Sequence, residues 1–152
     1  MIATEAGTKS GFRAFAQGEG SGRYRIHHWE ELLEAHRVQL QLHGGQDGFV
    51  DEVVVRSAMN RPQFTAQYNT DADLADLAAD YMYGLATTQG VMDGNKRISL
   101  AVAAIFVQKN GWDFIISDRV MYLIAMAVAR SELDREGLAE ILRTHMEELE
   151  EE

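Results

Sequence analysis

The sequence predicts an all-α domain, a helical bundle around a buried central helix, with room for a small β element. Three observations carry that expectation. Apolar residues recur at helical spacing through most of the chain, as in Leu74, Leu77, Ala78, Tyr81 and Leu85. Between Ile98 and Val107 every residue except Ser99 is apolar, so this helix has no wet face and has to lie inside. Clear stops, Gly44-Gly45 and Asn110-Gly111, fall at intervals that suit helices. At 152 residues the chain is long enough for one domain with a genuine core.

Taken in order, residues 1–22 are rich in Gly, Ser and Ala without a period and read as a flexible N-terminal arm, leaving 23–152 as the domain. Arg23 to Ile26 suits a short edge strand, and a helix over 28–43 carries Trp29, Leu32, Leu33, His36 and Leu40. Asp51 caps a short helix through Val53, Val54, Ala58 and Met59 that should stop before Pro62, with RPQFTAQYN following as a loop or hairpin. Thr70 and Asp73 resemble a capping box at the head of a helix over 72–88. After the apolar helix, WDFII suits a short strand, Ser117 caps a helix to about Arg130, and a final amphipathic helix runs through Leu138, Ile141, Leu142, Met146 and Leu149.

Composition excludes several function classes. There is no cysteine, so disulfides and thiolate metal sites are out, which fits a reducing cytoplasm. The start of the chain has no basic segment followed by an apolar run, so no signal peptide is expected, and no apolar stretch is long enough to span a membrane. A net charge of -10 argues against general nucleic-acid binding and reads first as solubility. The acidic end MEELEEE is one place where a basic partner could dock. The five histidines show no metal spacing, with His36 reading as a partly buried helix residue. The methionines read as packing, and Ser99 has no acid–base partner at recognisable spacing.

The chemistry concentrates in QGVMDGNKR, Gln89 to Arg97, directly before the apolar helix. The first free N–H groups of that helix, with the positive end of its dipole, favour an anion in front of it. Gly94 lets a ligand approach the backbone and Asn95 adds an amide donor. Lys96 and Arg97 supply cations, and Arg97 has the fork geometry suited to two phosphate oxygens. Asp93 is an oxygen ligand of the kind Mg²⁺ takes when phosphates complete its shell. The same residues also suit an ordinary turn, with Asp93 as a helix cap and Arg97 in a salt bridge.

The stretch from about Leu33 to Phe114 resembles the Fic/Doc family, and within it the Doc (death-on-curing toxin) branch. The resemblance is carried by HGGQDGFVDEVVVRSAMNRPQF and LADLAADYMYGLATTQGVMDGNKRISLAVAAIFVQKNGW. The branch signature is H-x-F-x-D-x-N-K-R, and Asp93, Asn95, Lys96 and Arg97 match it with Gly94 between them. The resemblance implies a transferase that moves a phosphoryl group or AMP from a nucleotide such as ATP onto a protein hydroxyl, with Mg²⁺ on Asp93 and phosphates on Gly94, Asn95, Lys96 and Arg97. It also implies a protein target and an antitoxin-like partner. Lys96, where the wider family has a second Gly, tilts the analogy toward phosphoryl transfer.

The departure falls on the catalytic position. Gln89 stands where the family has its His base, and Gly90 and Val91 stand where it has Pro and Phe. An amide has no useful basicity near neutral pH, so catalysis is expected to be impaired. The alternative is a non-catalytic protein that keeps the fold and binds a nucleotide or a partner.

Overall fold

In the computed structural model the described residues are 24–26, 29–44, 52–88 and 95–150. The expected arm at 1–22, the cap at Asp51 and the segment 89–94 lie outside them. Six helices and a two-stranded ribbon follow one another among the described residues: α1 (Trp29–His43), α2 (Glu52–Tyr68), α3 (Leu74–Thr87), α4 (Asn95–Lys109), β1 (Trp112–Phe114), α5 (Asp118–Ala129), α6 (Arg135–Thr144) and β2 (Met146–Glu148).

Helix α1 starts with Glu30 and Glu31, which favour the positive end of its dipole, and buries Leu32, Ala35 and His36 on one face. It ends as expected at Gly44, whose φ of 80° few other residues tolerate and whose N–H donates to the Leu40 carbonyl. Helix α2 departs from expectation. It does not stop before Pro62 but continues to Tyr68, so RPQFTAQYN is helix rather than loop. Pro62 removes one helical hydrogen bond, yet it shares the buried face with Val55, Ala58 and Met59, and that burial sustains the helix through it. Local breaker chemistry lost to tertiary packing.

Helix α3 is the most buried element. Leu77, Ala78, Ala79, Tyr81, Met82 and Leu85 are all at or near zero exposure, and the helix packs on α2, α4, α5 and α6. Its cap is Asp73 rather than Thr70: the Asp73 carboxylate accepts from the Asp76 N–H at 2.9 Å, and Asp76 accepts from the Asp73 N–H at 3.0 Å. The role expected for the apolar 98–107 segment therefore passes to α3. Helix α4 does pack on α1, α3 and α5, and Ile98, Val102, Ala103, Phe106 and Val107 are buried. Its outer side opens onto a groove of about 340 Å³ against α1, lined by Ala35, Val38, Ala101 and Ile105 beneath Glu30, Glu31 and Glu34. Ile105 is 40% exposed there. Tyr81 and Phe106 lock α3 to α4, ring centroids 4.9 Å apart. A Cβ at Gly84 would meet the Ala58 Cβ at 3.3 Å, which shows how closely α2 and α3 approach.

Helix α4 ends at the expected Asn110-Gly111 stop, with Gly111 at φ 89°. The Asn110 side chain then does what a strand would have done for residues 24–26. It accepts from the Arg25 N–H at 2.8 Å and donates to the Arg25 carbonyl at 3.1 Å, so the described part of the expected edge strand pairs with an amide side chain instead. WDFII contributes β1 as expected, but its partner departs from expectation. Helix α6 ends at Thr144, and Met146 to Glu148 form β2, antiparallel to β1 with Trp112 opposite Glu148 and Phe114 opposite Met146. The pairing of these two short edges satisfies their backbone groups, and the Leu149 N–H extends it by donating to the Gly111 carbonyl.

Two arginines of α6 clamp α3. Arg135 donates to the Asp80 carboxylate at 2.7 Å and to the Asp76 carbonyl at 2.9 Å. Arg143 donates to both Asp73 oxygens, at 2.7 and 3.0 Å. The Arg143 hydrogen bonds hold the Asp73 carboxyl down at about 2, against burial that would raise it. No described helix is long and apolar enough to cross a membrane.

Candidate functional site

Of the residues singled out by sequence, Asn95, Lys96 and Arg97 fall at the start of α4. Asn95 is the first residue of this helix, and Lys96 and Arg97 complete its opening turn, both partly exposed. Gln89, Asp93 and Gly94 lie outside the described residues. The segment they occupy is bracketed by fixed points: Thr88 is buried at the C-terminal end of α3, and Ile98 is fully buried one turn into α4.

The electrostatics of this helix start differ from those of its neighbours. Every other described helix carries an acid in its first turn: Glu30 and Glu31, Glu52, Asp76, Asp118 and Glu136. Those carboxylates answer the positive helix end locally. Helix α4 has none, and two cations stand in their place. The leading backbone N–H groups, the dipole and both side chains then add with the same sign, an arrangement that suits a multiply charged anion. The described donors, the leading N–H groups with Lys96 and Arg97, suit phosphate oxygens by charge and geometry. For Mg²⁺, the one carboxylate that the sequence places beside this turn is Asp93, and among the described residues no three His, Cys, Asp or Glu side chains come together as a metal site.

Two further contacts shape the turn. Ser99 is buried and its hydroxyl donates to the Lys96 carbonyl at 2.6 Å, so it closes the helix turn. The Arg97 guanidinium lies over the ring of Tyr122 from α5, 4.8 Å from its centroid. Sequence reasoning missed Tyr122, and no local signal marks it, because the pairing depends on how α5 crosses α4. The remaining histidine reading changes in degree only: His36 is 3% exposed, a core residue of α1.

A model of the Fic/DOC family matches residues 28–107. The chain is also 28% identical over 114 residues to the protein kinase Doc of Escherichia phage P1, an alignment covering 75% of this chain and 90% of that protein. The family match runs from just ahead of α1 to the last turn of α4, takes in α3 and the segment from Gln89 to Arg97, and spans more than half of the sequence. The chain belongs to the Fic/Doc family.

Proposed function

We propose that this protein is a Doc-like domain that binds the phosphates of a nucleotide at the start of α4 and whose capacity to transfer a phosphoryl group or AMP to a protein hydroxyl is impaired by Gln89. The observation that carries the reading is the acid-free first turn of α4, with Lys96 and Arg97 in place of a carboxylate. The likeness to a protein kinase supports the transfer chemistry, and a protein target and an antitoxin-like partner follow from the same analogy.

In this reading the amides from Gly94 to Lys96 and the Asn95 side chain cradle phosphate oxygens, and Arg97 meets two of them. Asp93 holds Mg²⁺, which when bound with ATP supplies charge neutralisation across the phosphates. Phosphoryl transfer depends mainly on positioning and electrostatics, so this cradle retains value without a base. What is lost is proton removal from the attacking hydroxyl, since the Gln89 amide cannot accept it near neutral pH. The loss is on the order of a hundredfold or more in rate.

A second reading has its own support. Gln89, Gly90 and Val91 all differ from the family's H-P-F pattern, and a cluster of three favours drift toward a binding role over a single lesion. The two readings separate in one assay, transfer of label from ATP to protein, self-modification included. In the first reading Gln89→His creates or raises transfer, the gain requires Mg²⁺, and Asp93→Ala abolishes it. Val91→Phe added to Gln89→His should raise it further by seating the loop, because a misplacement of ~1 Å costs about a hundredfold. If both variants stay silent while nucleotide still binds, the binding role is the correct account.

A further inference from the structure

We propose that Tyr122 is a positioning residue of the phosphate site, holding the Arg97 guanidinium in the orientation from which it meets the nucleotide. The proposal rests on the phosphate-binding reading of the α4 turn and adds to it a residue from a different helix. Arg97 Cζ stands 4.8 Å from the centre of the Tyr122 ring. Tyr122 is not one of the core residues of its helix: α5 buries Met121, Ala125 and Val128, and Tyr122 sits beside that face, half-buried.

An arginine side chain has many rotamers, and freezing them when a ligand arrives weakens binding. A guanidinium held against an aromatic face has given up much of that freedom beforehand. The ring attracts the cation through its face, and the paired N–H donors of the planar fork are the part that suits phosphate oxygens. Anion binding should therefore draw on Tyr122 through Arg97 and not directly. A packing role for Tyr122 between α4 and α5 makes a different demand, since apolar bulk alone would satisfy it.

The two roles are distinguished by calorimetric titration of the full chain with ATP and Mg²⁺, using Tyr122→Phe, Tyr122→Leu, Arg97→Ala and the double variant Tyr122→Leu/Arg97→Ala. Phenylalanine keeps the ring face and should leave the affinity within about twofold, whereas leucine keeps only bulk and should weaken it by about three- to tenfold, the factor a cation–π contact represents. In the Arg97→Ala background the leucine change should have no further effect. Equal weakening by phenylalanine and leucine, an unchanged affinity in Tyr122→Leu, or a leucine effect that persists without Arg97 would each overturn the proposal. If the unaltered protein binds no ATP, the phosphate reading falls, and this proposal with it. If Arg97→Ala weakens binding while Tyr122→Leu does not, only this proposal falls.

Discussion

At the scale of single residues, a buried carboxylate shows how charge placement constrains the fold. Asp80 is 2% exposed and one of its carboxylate oxygens has no hydrogen-bond partner, so its tolerability rests on the 2.7 Å bond from Arg135. Removing one member of a buried pair leaves an uncompensated charge and typically costs about 3–5 kcal/mol. Arg135→Met should therefore lower unfolding stability by about that amount in urea. A loss below about 1 kcal/mol would mean that water reaches Asp80. The candidate residues themselves were legible in the sequence, because Asp93, Gly94, Asn95, Lys96 and Arg97 form a contiguous motif whose chemistry depends on order alone. Asp80 and Tyr122 were not legible. Each acquires meaning from a residue on another helix, 55 positions away for Asp80 and Arg135.

At the scale of elements, boundaries set by local backbone chemistry were easier to read than boundaries set by packing. Ser117 caps α5 as expected, its hydroxyl accepting from the Val120 N–H at 3.2 Å. Gly44 and Gly111 end α1 and α4 because both adopt positive φ. The failures share one cause. Pro62 was read as a breaker and Met146 as helix, yet both positions are settled by distant partners: the buried face of α2 in one case and β1 in the other. The cap of α3 makes a quantitative prediction. Asp73 closes the capping box and receives Arg143, so Asp73→Ala should cost about 0.5–2 kcal/mol through the cap alone. Its carboxyl lies near 2 in the folded protein against an ordinary value of 3.8, so its contribution is complete above about pH 4 and is lost as pH falls toward 2. Acid titration of stability should thus show a shallower fall between pH 5 and about 2 in Asp73→Ala than in the parent. Parallel curves would contradict the assignment.

At the scale of the whole molecule, α3 is the axis on which the rest is hung. It touches four helices, receives two arginines from α6, and leads into the segment that precedes α4. The sequence pointed to α4 as the centre because its pattern is apolar all round, but apolarity measures what a helix can bury and not what surrounds it. The groove beside α1 leaves Ile105 partly in water, while small residues let α3 sink deeper. At Gly84 an added Cβ would already crowd Ala58, so Gly84→Leu should push α2 from α3 and cost about 1–3 kcal/mol by overpacking, seen as a lowered melting temperature. An unchanged melting temperature would mean the two helices separate freely.

The central claim is that the start of α4 is a working phosphate site even though position 89 carries no base. Calorimetric titration with ATP tests it most directly, on the unaltered protein and on Arg97→Ala, each with and without Mg²⁺. The account predicts saturable binding that Mg²⁺ strengthens and that Arg97→Ala weakens by about 1.5–3 kcal/mol, the worth of a charge-assisted hydrogen bond. Absence of binding, or an affinity unaffected by Arg97→Ala, would contradict it and reduce the Asp93 to Arg97 motif to a turn ahead of a helix.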